Sequence, residues 1–305
     1  MIRFLAIRLL WYAITIWAVF TVSWLLMRSV PGGPYASERK VSEDVERNLM
    51  ERYRLDRPMH VQYWNELTRD VTLDFGYSMK MEDYTVGEII AEGLPISASL
   101  GVVALALALF VGLSVGVISA LWRQSLLDVS LRTLATLGIA IPNFVLAGAM
   151  IVLFVFELDW FPAAGWGSPR HLFLPAVCLA APFAAYIARL TRTGMLDTLH
   201  QDYIRTAVAK GLTSRQVVLK HALRGALLPV VSFLGPAIAG ILTGSLVLER
   251  IFVIPGMGTH FVEAALQRDY PLAMGVVLVY TTLVFAMNTL VDLSYALIDP
   301  RVKLR

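Results

Sequence analysis

The sequence predicts an all-α integral membrane protein with six transmembrane helices and a helical extracytoplasmic segment after the first. Three observations predict it. Hydrophobic residues make up 57% of the 305 residues and mean hydropathy is +0.65, too apolar for an ordinary soluble domain. Six charge-free runs, Leu9 to Met27, Gly93 to Trp122, Thr133 to Phe156, His171 to Ala188, Gly225 to Leu248 and Tyr270 to Val291, approach or exceed the ~18–20 residues that cross a hydrocarbon core. Among the short loops, lysine and arginine are concentrated on alternate ones. With the N-terminus inside, Arg3, Arg8, Arg123, Arg132, the Arg189 to Arg224 cluster and Arg301, Lys303 and Arg305 share one side, and the short outer loops hold only Arg170, Arg250 and Arg268. Basic residues in short loops stay cytoplasmic, so both termini are expected there.

The first run follows Arg3 and Arg8 as a signal peptide would, but it is long and lacks a small-x-small cleavage site before Pro31, so it reads as a retained span. Val30 to Pro34 ends it and opens a polar outer segment reaching about Glu92. There Ser42 to Leu55 carries Val45, Leu49 and Tyr53 at helical spacing, and Met59 to Val71 carries Val61, Trp64, Leu67 and Val71. Both are expected to be amphipathic helices with charged outer faces. Their apolar stripes would pack on the outer ends of the spans or help to receive a partner.

Gly112 and Gly116 in the second span, and Gly240 and Gly244 in the fifth, are small-xxx-small pairs that let helices approach closely in lipid. Pro142 in the third span removes a backbone hydrogen bond and is expected to bend the helix. Asn143 beside it faces a polar path or makes an interhelical hydrogen bond, and both roles are open. Trp160, Phe161 and Trp166 suit an outer interface. Cys178, the only cysteine, lies in the fourth span and permits no intrachain disulfide. Beyond the fifth span a Pro255–Gly256 turn leads into an expected Thr259-capped helix ending at Arg268, either an interfacial hairpin or an outer gate. The sixth span holds Asn288 and, one turn on, Asp292, read as the only carboxylate well inside a hydrophobic segment. A charge at depth marks a functional site by default, an argument weakened by the nearby cytoplasmic end at Asp299, Pro300 and Arg301.

The most structured polar loop is DYIRTAVAKGLTSRQVVLKHALRGALLP, Asp202 to Pro229. Asp202 is expected to cap a two-turn helix, Tyr203 to Lys210, which Gly211 stops in the left-handed conformation. Thr213 with Gln216 reads as a capping box starting a helix that runs into the fifth span. Tyr203, Ala207 and Lys210 recur at helical spacing as an outward face, with Ile204 and Val208 turned toward the membrane domain.

With RLDRPMHVQYW, LDFGYS, WGSPRHLFLPA, the Ile254-Pro255-Gly256-Met257-Gly258 turn and Arg268-Asp269-Tyr270-Pro271, this loop resembles the cytoplasmic EAA loop of ABC transporter permeases of the dipeptide/oligopeptide (and nickel) importer family, first-subunit type. Arg205 to Gly211, RTAVAKG, stands where EAA-x3-G stands. Arg205 and Thr206 replace the first Glu and Ala, and His221-Ala222-Leu223-Arg224 replaces the usual Ile-x-Leu-Pro ending.

The resemblance implies the type I ABC importer permease fold, with residues 1–92 as an N-terminal span plus extracytoplasmic helical segment and 93–305 as a permease domain whose coupling loop is 192–224. It implies a non-catalytic subunit, in the cell membrane (the inner membrane of a Gram-negative source), that forms a pathway for peptides or related small solutes. The implied partners are a second permease subunit, two cytoplasmic ATPase subunits that bind ATP and Mg, and an extracytoplasmic substrate-binding protein; no cofactor or metal is implied in this chain. Asp202, Tyr203, Arg205, Thr206, Ala207, Lys210 and Gly211 would couple to the ATPase, and Pro142, Asn143, Pro255, Gly256, Asn288 and Asp292 are pathway or gate candidates. The residues themselves agree on one absence: there is no G-x4-G-K-S/T phosphate loop. The net charge of +3 follows from topology and implies no nucleic acid. An ion-coupled secondary transporter has little to work with here, since no inverted repeat is visible, and a membrane scaffold would not need the capped cytoplasmic helix.

Overall fold

The computed structural model describes residues 2–30, 56–81 and 83–298. The expected Ser42 to Leu55 helix, the Pro31 to Pro34 break and the basic tail lie outside them. The described elements are helices: α1 (Ile2–Ser29), α2 (Met59–Val71), α3 (Val86–Leu121), α4 (Leu126–Ala140), α5 (Asn143–Ile151) with a π-helical end Val152–Glu157, α6 (Pro169–Leu199), α7 (Asp202–Ala209), α8 (Ser214–Ile251), α9 (Met257–Gln267) and α10 (Tyr270–Ile298). Five, namely α1, α3, α6, α8 and α10, are long and apolar enough to cross a membrane, and α4 with α5 makes a sixth if the pair is one broken span. The chain forms two compact units, Met1–Ile96 with Pro255–Phe285 and Ser97–Ile254 with Ala286–Arg305.

The second unit is assembled around α6, which packs against α4, α5 and α8. Bare glycine backbone allows close contact. A Cβ on Gly112 would sit 2.7 Å from the Ala184 carbonyl oxygen, and one on Gly116 would sit 2.6 Å from that of Ala188 and 2.5 Å from the Thr191 Cβ. A Cβ on Gly194 of α6 would likewise sit 2.8 Å from the Ala226 carbonyl oxygen of α8, and one on Gly240 would sit 2.8 Å from the Phe183 ring. At Gly112, Gly116 and Gly240 the expected close approach is thus made within the chain.

Pro142 does more than bend the third span. Ile141, pushed to extended backbone (ψ 123) by the following proline, ends α4, and α5 leaves at 106° to it. At the other end of α3 the helix begins at Val86 rather than Gly93, because Thr85 and Glu88 form a reciprocal cap: the Thr85 amide donates to the Glu88 carboxylate at 2.8 Å and the Glu88 amide to the Thr85 hydroxyl at 3.2 Å.

The first unit corrects two expectations. In α2 the apolar stripe faces outward: Trp64 is 58% and Val71 64% exposed, whereas Gln62 and Asp70 are buried. The Gln62 amide donates to the Arg57 carbonyl at 2.6 Å, and on the same side of the helix α1 supplies partners for Glu66 and Tyr63. The Trp24 indole and the Arg28 guanidinium donate to the Glu66 carboxylate at 2.8 and 2.6 Å, and the Tyr63 and Thr21 hydroxyls share a 2.8 Å bond. Burial pushes the Asp70 carboxyl up to about 7 against the pull of Arg69. The second correction concerns α9. It starts at Met257 with Gly256 as its cap, not at Thr259, since full burial of Met257 fixes the first turn by packing. Gly93 leaves room for that turn; a Cβ there would lie 3.0 Å from the Met257 amide.

We predict that Gly116→Val prevents recovery of monodisperse protein in mild detergent, while Gly148→Ala, where a Cβ meets nothing within 4 Å, leaves yield and elution profile unchanged. Normal recovery of Gly116→Val would show that the α3–α6 contact is dispensable.

Candidate functional site

The loop between the fourth and fifth expected spans folds into a short helix braced on the ends of three long helices. Gln201, in extended backbone (φ −75, ψ 149), is the cap of α7, so Asp202 is its first residue and not the cap expected of it. There the carboxylate still complements the positive helix end, and it lies 3.7 Å from the Arg205 guanidinium. Lys210 closes the helix, and Gly211 takes φ +82. That left-handed turn lets the Gly211 amide donate to the Val208 carbonyl (2.9 Å) and the Leu212 amide to the Ala207 carbonyl (3.3 Å), which satisfies carbonyls the helix would otherwise leave open. The Thr213–Gln216 capping box is present in both directions and starts α8, whose Val217–Ala222 turn is π-helical.

α7 is therefore separated from α8 by a turn, and its faces are set by packing. Ile204 and Ala207, three residues apart on one face, are buried in a cluster with Ala120 at the end of α3, Met195 of α6, and Val217, Ala222 and Ala226 of α8. Ala207 thus lies under the helix rather than on its outer face, and Val208, expected to turn inward, is 58% exposed. Tyr203, Arg205, Thr206, Ala209 and Lys210 complete the exposed surface. Tyr203 is 49% exposed, yet its hydroxyl reaches back to within 3.3 Å of the position a Cβ on Gly225 would take. The coupling candidates form one continuous patch with Ala207 as its footing.

The loop's position is fixed by a residue that sequence reasoning missed. Asp128 of α4 is fully buried and accepts from Arg192 Nε and Nη2 at 2.9 Å each, from the Ser119 hydroxyl at 2.5 Å and from the Gln124 amide at 3.0 Å. This fork joins α3, α4 and α6 one turn before the cluster beneath α7. Ser125, which caps α4 by accepting from the Asp128 amide at 3.2 Å, was the available signal: a lone acid three residues after a serine in an otherwise basic loop.

The pathway candidates occupy separate elements. Pro142 caps α5 and is exposed, and Asn143 is its half-buried first residue. Pro255 is exposed and Gly256 buried at the start of α9. On α10 the Asn288 amide oxygen lies 3.0 Å from where a Cβ on Gly235 of α8 would be, and Asp292 is half-buried one turn on. Asp292 is not the only carboxylate inside an apolar helix: Glu249 of α8, one residue beyond the charge-free run that ends at Leu248, is fully buried.

Residues 112–304 match the family model described as binding-protein-dependent transport system inner membrane component. The sequence is 47% identical to the dipeptide transport system permease protein DppB of Bacillus subtilis, over 100% of this chain and 99% of that protein. It is 41% identical to the oligopeptide transport system permease protein OppB of Escherichia coli K12, over 99% and 100%. A solved structure of the MetNI methionine ABC transporter in inward-facing conformation shares the fold, with a TM-score of 0.59 at 19% identity over 69% of this chain and 96% of that one.

We predict that Asp128→Ala lowers unfolding stability in detergent by ~3 kcal/mol, the low end for stranding one member of a buried ion pair, because the Arg192 side chain keeps 20% of its surface exposed. Arg132, 53% exposed and 3.4 Å from the same carboxylate, should matter by no more than ~1 kcal/mol when replaced by alanine. Equal losses in the two variants would refute this ranking.

Proposed function

The chain belongs to the family of binding-protein-dependent transport system inner membrane components, and on that premise we propose that it carries peptides or related small solutes and that α7 receives the motion of partner ATPase subunits. It is a permease subunit of an ABC importer, a multi-pass membrane protein and a transport component rather than a catalyst. The cargo class is supported by likeness along the full chain to permeases named for dipeptide and oligopeptide transport. In the proposed assembly a second permease subunit completes the pathway, an extracytoplasmic binding protein delivers cargo, and two ATPase subunits bind ATP and Mg. The distribution of arginine and lysine supports placing both termini and α7 on the ATPase side.

The observation that carries the coupling role is the two-sided character of α7. A helix of this length is a rigid rod of ~12 Å, exposed and polar along one side and seated through Ile204 and Ala207 on the ends of α3, α6 and α8 along the other. A push on Tyr203, Thr206 and Lys210 passes into three spans at once, since packed side chains transmit displacement instead of absorbing it. Gly211 lets α7 end sharply, so the push is delivered at a corner. ATP hydrolysis and the chemistry of Mg belong, in this mechanism, to the partner subunits.

Co-purification of the C-terminally tagged chain from its host membranes in mild detergent is expected to recover a second permease and ATPase subunits; reproducible recovery of the folded chain alone would overturn the proposed assembly. We further predict that Gly211→Val leaves the protein in the membrane and assembled but hydrolysing ATP with little or no uptake. An L side chain at φ +82 costs ~1–2 kcal/mol, which the turn can relieve only by shifting α7. Uptake at the normal ratio to ATP hydrolysis would count against α7 as the coupling element.

A further inference from the structure

The outward apolar stripe of α2 needs a covering. Val61, Trp64, Leu67 and Val71 follow one another around a single helical face, opposite Gln62, Glu66 and Asp70, with Trp64 and Val71 exposed at its centre and Val61 and Leu67 half-buried at its edges. A helix on the aqueous surface of a protein turns those two faces the other way. Here the polar face is committed to α1, through Tyr63 on Thr21 and Glu66 on Trp24 and Arg28, so the apolar face cannot turn inward without breaking all of these contacts.

The same contacts measure the depth of α2. Its Tyr63 and Glu66 touch α1 between Phe20 and Arg28, within the last two turns or so of a charge-free run that ends at Met27. At the helical rise, Thr21 lies ~10 Å and Trp24 ~6 Å inward of Arg28. The interfacial layer beyond the hydrocarbon is only ~5–8 Å thick on each side. The middle of α2 is therefore level with the boundary between headgroups and acyl chains, not above it. At that level α1 also exposes only aliphatic side chains, with Val22 56%, Leu25 53% and Leu26 63% exposed. Trp64 adds an amphipathic ring of the kind that favours this depth.

We propose that α2 is an interfacial helix lying in the bilayer surface at the Ser29 end of α1, with Val61, Trp64, Leu67 and Val71 in contact with lipid. The helix is held from two sides, by the half-buried Arg28–Glu66 pair inside and by acyl chains outside. Apolar faces of such helices sink ~5–10 Å into the headgroup boundary, which matches the level the α1 contacts require. The proposal needs only that α1 spans the membrane, so it stands whichever cargo the importer carries.

The test is spin-label accessibility in the whole importer reconstituted in nanodiscs, with a nitroxide at Trp64→Cys and, as a second position on the same face, Val71→Cys. Leu25→Cys on α1 is the lipid reference and Asp74→Cys, exposed beyond the end of α2, the aqueous one. Oxygen is expected to reach both test positions, while a water-soluble nickel chelate collides with them several-fold less often than with position 74. Free access of the chelate to 64 and 71 would place the face in water and overturn the proposal. Exclusion of both reagents would overturn it in favour of a covering protein, and added binding protein or dissociation of the second permease would then identify which.

Discussion

Everything else in the permease domain depends on how closely α3 and α6 approach. Lipid tails are as apolar as leucine, so helices gain little from merely touching, and association must come from dispersion at short range and from polar contacts. Gly112 and Gly116 present backbone to Ala184, Ala188 and Thr191, and Gly194 repeats the device toward α8 through Ala226. α6 becomes a central post with half of its most apolar window buried, the largest such share among the candidate spans. Where α6 ends then decides where α7 lies, because Met195, Leu196 and Leu199 on its last turns form much of the seat for Ile204 and Ala207.

The polar fork at Asp128 adds register to this apolar scaffold. The glycine contacts of the seam set how closely the helices approach, and a polar contact adds direction to them. A carboxylate held by Arg192, Ser119 and Gln124 at once does not tolerate a slide of one helix past another. Taking such a charge out of water is costly, and its net contribution to stability can be small compared with an apolar replacement. Its value here is geometric: it holds the ends of α3, α4 and α6 nearest α7 in a single arrangement, one that delivers α7 to the surface in a defined orientation.

Much of this was legible in the chain. Backbone polar groups in hydrocarbon must be satisfied within the segment, so spans declare themselves as long charge-free helices, and local chemistry announced the Thr213–Gln216 box and the left-handed stop at Gly211. What was not legible depended on distant partners. Asp128 finds Arg192 64 residues away, and the inward face of α2 is decided by Trp24 and Arg28 on another helix, so a periodicity that correctly located α2 assigned its two faces the wrong way round. Pro142 was visible as an interruption, but the 106° angle is set by what α5 packs against, and no local rule contains it. Ala207 and Val208 were exchanged for a similar reason: spacing gives the angle between side chains on α7, not which side meets the cluster beneath.

The two kinds of glycine in this chain would look different to natural selection. At Gly116 the obstacle is room, so the cost of a replacement grows with each added atom and even alanine collides with the Ala188 carbonyl. At Gly211 nothing lies within 4 Å of an added Cβ, and the obstacle is φ +82. That is a demand of handedness rather than of room. The spectrum of tolerated residues at 211 would follow backbone preference, with Asn and Asp mildest because they enter the left-handed region most readily and β-branched side chains harshest, whereas the spectrum at 116 would fall steeply with volume.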